Sequence, residues 1–303
     1  VTVRSLSPDE ISDTENTPAE GGNASLSAEG ALIEIEIEVV SEDGQTVAGS
    51  RLRGRAELSL TYNQGLSESA IQRLGIYRLD EETGTWEYVG GDIDRATGQI
   101  RTWRDSFSIY GVFAFEKSFA DMTNHWARED VEVMAARHVV NGMTETLFRP
   151  ELNVTRAQVA AMIARMLMLQ SSGSAAFTDV PRDAWYAGEV AAASEAGVIQ
   201  GYGDGTFKPN QNITRQELAV MIVRAMEAAG QPSTIGDAVA IRELVGFQDR
   251  AQIASWAEVA AGTAVLTGII RGRTDVQFAP QATATRAETA TMLKRLLEHL
   301  GKL

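Results

Sequence analysis

The sequence predicts an α+β chain of several domains, with an antiparallel, sandwich-like β module first and a helical array after it. Three observations carry this. Short alternating stretches with glycine-rich turns fill residues 31–116. Beyond them the apolar spacing becomes helical. From Phe119 onward the chain repeats itself three times. The predicted divisions are 1–30 as a linker or frayed start, 31–116 as the β module, and 117–172, 173–232 and 233–303 as repeats.

Residues 1–30 are rich in Ser, Glu, Asn, Gly and Pro and show no period. From Leu32 to Val40 isoleucines face one way and glutamates the other, the mark of a half-buried strand. Further strands are predicted near Ala56–Tyr62, Leu74–Leu79, Thr85–Val89, Gln99–Trp103 and Phe107–Phe115. Turn signals at Asp43-Gly44, Asn63-Gln64-Gly65, Thr83-Gly84, Gly90-Gly91 and Thr97-Gly98 separate them. Ser67–Gln72 reads as one helical turn. Short strands and tight turns suit an antiparallel sandwich.

Composition removes several function classes. The chain has 303 residues, no cysteine and three histidines, His125, His138 and His299. Thiolate chemistry, disulfides and cysteine-held metals are excluded, and a histidine triad or multi-histidine metal site has few possible members. No metal or cofactor is expected. The net charge is −14, and residues 1–115 carry 9 basic against 20 acidic residues. Such a chain repels nucleic acid and anionic membrane, so neither is an expected partner. No stretch approaches the length of uncharged apolar sequence that spans a bilayer. The chain begins at Val1 without a leader pattern, as expected of a mature or excised protein.

The repeat is exact in register. Trp126, Trp185 and Trp256 each stand 16 residues before Gly142, Gly201 and Gly272, and 30 before Arg156, Arg215 and Arg286. Phe148-x-Pro150, Phe207-x-Pro209 and Phe278-x-Pro280 lie between. Upstream of each Trp is a Phe-x-Asp, ending at Asp121, Asp179 and Asp249. Each repeat reads helix, loop, helix. A glycine closes the first helix. Thr155-Arg-x-Gln158, Thr214-Arg-x-Glu217 and Thr285-Arg-x-Glu288 open the second as capping boxes.

Three features invite a functional reading, and each has a structural alternative. An arginine at the first helical position opposes the helix dipole, at about 0.3–1 kcal/mol when exposed. It either bridges to a carboxylate of a neighbouring repeat or forms an anion site with the helix start. The tryptophans either anchor the helix pair or stack on a sugar face. The aspartates either cap the turn into the first helix or accept sugar hydroxyls. The loop acids Glu145, Asp204 and Asp275 read as turn residues rather than metal ligands.

Phe-x-Asp, Trp, Gly-Tyr-x-Asp-Gly-Thr-Phe-x-Pro and Thr-Arg-x-Glu in three tandem copies resemble the S-layer homology domain over about residues 117–303. The second copy is the nearest match, with Gly201 to Phe207 intact. The resemblance implies a pseudo-threefold helical assembly around a central three-helix bundle, with grooves between repeats. It implies binding of secondary cell-wall polysaccharide carrying a pyruvate ketal, an extracellular place in the bacterial wall or S-layer, and contact of Arg156, Arg215 and Arg286 with the anionic sugar. Trp126, Trp185, Trp256, Asp121, Asp179, Asp249, Gly142, Gly201 and Gly272 complete the expected carbohydrate site. The first copy departs at Met143 and Gln158 and the third at Arg273 and Val276, so three equal grooves are not expected. The preceding region is similar to β modules found before such repeats in bacterial surface proteins. The expected function is a non-catalytic wall anchor, with a further catalytic or structural domain upstream. The alternatives are a self-associating S-layer or scaffold subunit, or the anchor portion of a surface polysaccharide hydrolase.

Overall fold

A computed structural model describes residues 2–6, 24–40, 46–49, 51–106, 108–173 and 177–303. Two compact units form. One comprises Val1–Thr123, Glu132–Leu147 and Gly301–Leu303, and the other Asn124–Val131 and Phe148–Leu300.

Among the described residues the first unit holds nine strands: β1 (Thr2–Ser5), β2 (Ala24–Val40), β3 (Thr46–Gly49), β4 (Arg51–Thr61), β5 (Leu74–Asp80), β6 (Thr85–Gly90), β7 (Asp92–Asp94), β8 (Gln99–Ser106) and β9 (Ile109–Lys117). The single turn α1 (Glu68–Gln72) is capped by the Ser67 hydroxyl, which accepts from the Ala70 amide. One sheet runs β1-β2-β9-β5-β6 with β3 on β2, and the other β4-β8-β7. Every strand pairing is antiparallel.

One core draws on both sheets, with Leu58, Leu60 and Ile100 against Leu74, Ile76, Tyr110 and Val112. Ile33 and Ile35 pack on it, on the apolar side of the alternating β2. A second core lies on the other face of the larger sheet, where Leu26, Leu32, Tyr77, Trp86, Phe113 and Phe115 gather with Ala136. The central strand β9 is therefore buried on both faces, which its unbroken apolar run from Ile109 to Phe115 reflects.

Two readings of this region need correction. Thr2–Ser5 and Ala24–Gly30 are strand, where a linker is predicted. Thr2–Ser5 pairs with Ile33–Glu36, and pairing onto an existing sheet needs no apolar alternation of its own. Among 24–30 Leu26 is buried in a core and Ala24 packs against it, too sparse a signal to show a period. The second difference is β3 and β7, short strands in stretches where the sequence predicts none. The Asp43-Gly44 turn, Phe107 and residues 7–23 lie outside the described residues.

The helices are α2 (Arg128–Ala136), α3 (Arg156–Met166), α4 (Ala187–Glu195), α5 (Arg215–Ala228), α6 (Asp237–Arg242), α7 (Glu258–Leu266) and α8 (Arg286–His299). All three capping boxes close in both directions, with Thr155 and Gln158, Thr214 and Glu217, and Thr285 and Glu288. The apolar stripe of each long helix is buried: Val159, Met162 and Ile163 on α3, Leu218, Met221 and Ile222 on α5, Leu293 and Leu296 on α8.

Each second helix meets the next copy's first helix, since α3 packs on α4 and α5 on α7. The wrap from third copy to first is made by Asp130 of α2, which accepts from the Thr291 hydroxyl at 2.7 Å and pairs with Lys294 at 3.3 Å on α8. The residues just before the boxes close a ring of backbone bonds. The amide of Val154 donates to Ala284 at 3.0 Å, Ala284 to Ile213 at 3.1 Å, and Ile213 to Val154 at 3.1 Å. All three are fully buried. A lone copy leaves these amides without partners, so the backbone itself requires all three.

Candidate functional site

The same motif builds all three junctions between copies. The Arg156 backbone amide donates to the Gln211 carbonyl, Arg215 to Ala282 and Arg286 to Leu152, each at 2.9 Å. The three side chains repeat the pattern. Arg156 Nε donates to the Phe207 carbonyl, Arg215 Nε to Phe278 and Arg286 Nε to Phe148, again at 2.9 Å. Each guanidinium lies against the ring of that same phenylalanine, at 4.5 to 5.5 Å from its centroid.

The capping-box acid of the following copy completes the clamp. Glu217 Oε2 accepts from its own Thr214 amide at 2.8 Å, and Oε1 takes Arg156 Nη1 at 3.1 Å and the Tyr202 hydroxyl at 3.1 Å. Glu288 accepts from the Thr285 amide at 2.9 Å, lies 3.5 Å from Arg215 Nη1, and is gripped by Arg273. Burial opposes the Glu288 charge, yet the Arg273 and Thr285 hydrogen bonds and the Arg215 charge outweigh it and hold its pKa below the usual carboxylate value. Burial pulls the Arg215 guanidinium down, which Glu288 opposes. Arg215 is 1% exposed and also donates to the Arg271 carbonyl at 2.7 Å. Of the two readings left open for the arginines, the bridge to a neighbouring carboxylate is thus present for Arg156 and Arg215. At the third junction the box residue is the neutral Gln158.

Asp179 and Asp249 take a role that neither sequence reading named. Asp179 accepts from the Phe207 and Lys208 amides at 2.7 and 2.8 Å, and Asp249 from the Phe278 and Ala279 amides at 3.0 and 2.7 Å. Asp179 and Asp249 thus tie down the Phe-x-Pro turns of their own copies, whose middle residues Lys208 and Ala279 both have a positive φ of 58°. Asp121 lies in a short turn of 3-10 helix, Ala120–Met122, in the first unit.

The glycines serve packing. A Cβ on Gly201 would stand 2.5 Å from the Phe177 ring and 2.6 Å from the Thr206 carbonyl. Gly272 meets Phe247 and Thr274 in the same way, and Gly142 meets Phe119 and Thr144. The phenylalanine of Phe-x-Asp therefore lies over the glycine in each copy.

The tryptophans are the exposed members of the set. Trp126, Trp185 and Trp256 are 65%, 59% and 60% exposed, so none anchors the core. In the second copy Arg165 lies 6.0 Å from the Trp185 ring, while Tyr202 carries Lys208 over its ring at 4.0 Å. Sequence reasoning missed Tyr202 and Arg273. Their signal was positional, because both directly follow the repeat glycine and both hold the box glutamate. Among the described residues no cluster of His, Asp and Glu is arranged to hold a metal, and no helix is long and apolar enough to cross a membrane.

Three helical copies joined through one shared motif, each with an exposed tryptophan, define a tandem-repeat module. The S-layer homology domain model matches residues 118–160, 176–219 and 246–290, so the chain carries three S-layer homology domains in tandem. It is 37% identical over 235 residues to an amylopullulanase of Thermoanaerobacterium thermosulfurigenes, covering 77% of this chain and 12% of that protein. That match is longer than the repeats and extends into the β-rich region. The chain is 32% identical over 165 residues to a cellulosome-anchoring protein of Acetivibrio thermocellus, covering 52% of this chain and 35% of the relative. It is 31% identical over 178 residues to a surface-layer 125 kDa protein of Lysinibacillus sphaericus, covering 58% and 14%. The chain thus spans a minor part of these relatives. The repeats are cell-surface anchoring domains, and they place the chain outside the cell, at the wall or S-layer.

Proposed function

We propose that this chain is a non-catalytic anchor that binds anionic, pyruvate-ketal-bearing secondary wall polysaccharide in grooves between successive repeats. In this reading α3, α5 and α8 form a pseudo-threefold central bundle. The closed ring through Val154, Ile213 and Ala284 and the packing of α8 on α3 and α5 support that arrangement.

The observation that carries the binding reading is the threefold recurrence of an exposed tryptophan on copies joined by a guanidinium clamp. Exposed indole faces suit the C–H faces of sugars. Arg156, Arg215 and Arg286 set positive charge beneath the grooves, and Asp121, Asp179, Asp249 and the glycines shape the loops. A larger upstream domain, catalytic or structural, would be the cargo.

The test is a pull-down with purified wall sacculi, before and after acid stripping of the secondary polysaccharide. Binding lost on stripping, and reduced in Trp185→Ala with the fold intact, supports the reading. Binding that survives stripping assigns peptidoglycan or protein as the partner and removes the pyruvate argument. Concentration-dependent light scattering in the absence of wall would instead favour a self-associating S-layer or scaffold subunit, which the surface-layer relative makes a specific alternative.

A further inference from the structure

The outer face of the smaller sheet, β4-β8-β7, carries groups that the fold does not use. Its inner side chains, Leu58, Leu60, Ile93 and Ile100, enter the core. The alternate positions face away from that core, and Trp103 among them is 57% exposed. It is the one large apolar side chain exposed on a strand among the described residues. Glu57 lies directly across from it on β4. Arg101 and Gln99 follow along β8 on the same face, with Ser59 opposite Arg101. Glu57 is exposed and makes no hydrogen bond or ion pair among the described residues. Arg101 holds Asp94 at 2.6 Å through Nη2. Its Nε is buried without a partner, and its Nη1 has none among the described residues. Gln99 Oε1 accepts from the Ser59 hydroxyl at 3.0 Å, which leaves the Nε2 N–H groups unused among the described residues.

We propose that this face of the β module binds a neutral polysaccharide, with Trp103 as its stacking platform. The site lies apart from the helical repeats and does not depend on the anchor reading. An exposed indole offers its ring to the C–H groups of a sugar. The carboxylate, guanidinium and amide around it supply both acceptors and donors for hydroxyls. Gln99 to Trp103 spans about 14 Å at the rise of a strand, room for a short run of sugar rings. Charge selects the kind of glycan. Asp94 is paired with Arg101 and Asp92 with Lys302, and Arg55 and Asp105, next along the two strands, are of opposite sign. The face keeps the single negative charge of Glu57, within a region of 9 basic and 20 acidic residues. An anionic polymer or membrane is repelled there, and a neutral sugar chain is not. A protein partner, a second copy included, needs an apolar centre that one ring does not supply.

The test is native electrophoresis of the whole chain through gels cast with hydroxyethyl cellulose, pullulan or arabinoxylan, with polygalacturonate as the anionic control. Retardation is expected in at least one neutral gel and not in polygalacturonate. Trp103→Thr keeps a good strand former at an exposed position and is expected to weaken the retardation about tenfold. Glu57→Gln, of unchanged shape, is expected to weaken it severalfold and carries the test should the threonine variant melt early. Both variants are expected to keep wild-type binding to wall sacculi, and Trp185→Ala to keep wild-type retardation, so this site and the anchor reading fail separately. No retardation of the wild type in any of the three neutral gels overturns the proposal, as does retardation unchanged in both Trp103→Thr and Glu57→Gln. Retardation by polygalacturonate equal to or stronger than by the neutral polymers overturns the neutral assignment. A dimer seen by light scattering and lost in Trp103→Thr gives the face to a second copy and overturns the proposal as well.

Discussion

His138 gives the first unit a defined sensitivity to acid. Its ring stacks on Tyr88 at 4.7 Å and lies 4.8 Å from Phe115, and its Nε2 meets the Tyr77 hydroxyl at 3.0 Å. Burial, with the Arg137 charge beside it, pushes its pKa from 6.5 down to about 4. A lowered histidine pKa means that the fold holds the neutral ring. The stability this contributes is present above the unfolded pKa and is lost as pH falls below 6.5 toward 4. At pH 5 the unfolded ring is protonated and the folded ring is not. The gap from the unfolded pKa is about 1.5 units at about 1.4 kcal/mol each, or about 2 kcal/mol lost relative to neutral pH. Urea unfolding at pH 7 and pH 5 measures this, read from the buried Trp86. Carboxylates contribute to any acid slope, so the comparison is with His138→Asn, which tolerates the positive φ of 54° at this position. The variant starts less stable, through lost packing, but has a shallower slope. Equal slopes in the two proteins, or an imidazole titration by NMR with its midpoint near 6.5, refute the reasoning.

Gly201→Ala forces a methyl group into the Phe177 ring and the Thr206 carbonyl, and should cost about 1–3 kcal/mol by overpacking; an unchanged melting temperature contradicts this. Met168 follows α3 with φ of 53° at 39% exposure, where Gly230 and Gly301 follow α5 and α8. Met168→Gly should therefore stabilise by about 0.5–1 kcal/mol, the left-handed cost less the added chain entropy; denaturant melts check the sign. Asp179→Asn keeps one acceptor for two amides and should cost about 1–3 kcal/mol. Faster hydrogen exchange at the Phe207 and Lys208 amides is its signature.

The repeats were legible because their information is local. A capping box, a closing glycine and a fixed Trp-to-Arg spacing each specify a turn or a helix end without reference to distant residues. The β region was legible strand by strand where the strands alternate, as at Ile33 and Ile35. It was illegible at Thr2–Ser5 and β7, which are strands only by virtue of their neighbours. The second core was hidden because Leu26, Leu32 and Phe113 need a covering residue, Ala136, far along the chain. Arg137 was hidden for the same reason, since its buried guanidinium donates to the Leu74 carbonyl at 2.8 Å and to that of Gly91.

The arginine of the Thr-Arg-x-Glu motif shows why a residue can break a local rule in every copy. At the first turn of a helix its charge opposes the dipole, so no isolated copy gains by having it. Its side chain instead reads the next copy, through a phenylalanine carbonyl and, in two junctions, a box glutamate. A buried pair of this kind contributes little net stability, because desolvation offsets the Coulomb gain. It does penalise wrong arrangements, since a misplaced copy leaves a buried guanidinium without its acceptor. The glutamate serves two masters, closing its own helix and receiving its neighbour's charge. Arginine and acid therefore sit in one short motif: a tandem array needs each copy to offer the donor on one side and the acceptor on the other. Where the first copy substitutes Gln158, the box still closes but the acid is gone. That difference alone makes the three junctions chemically unequal while leaving their backbones alike.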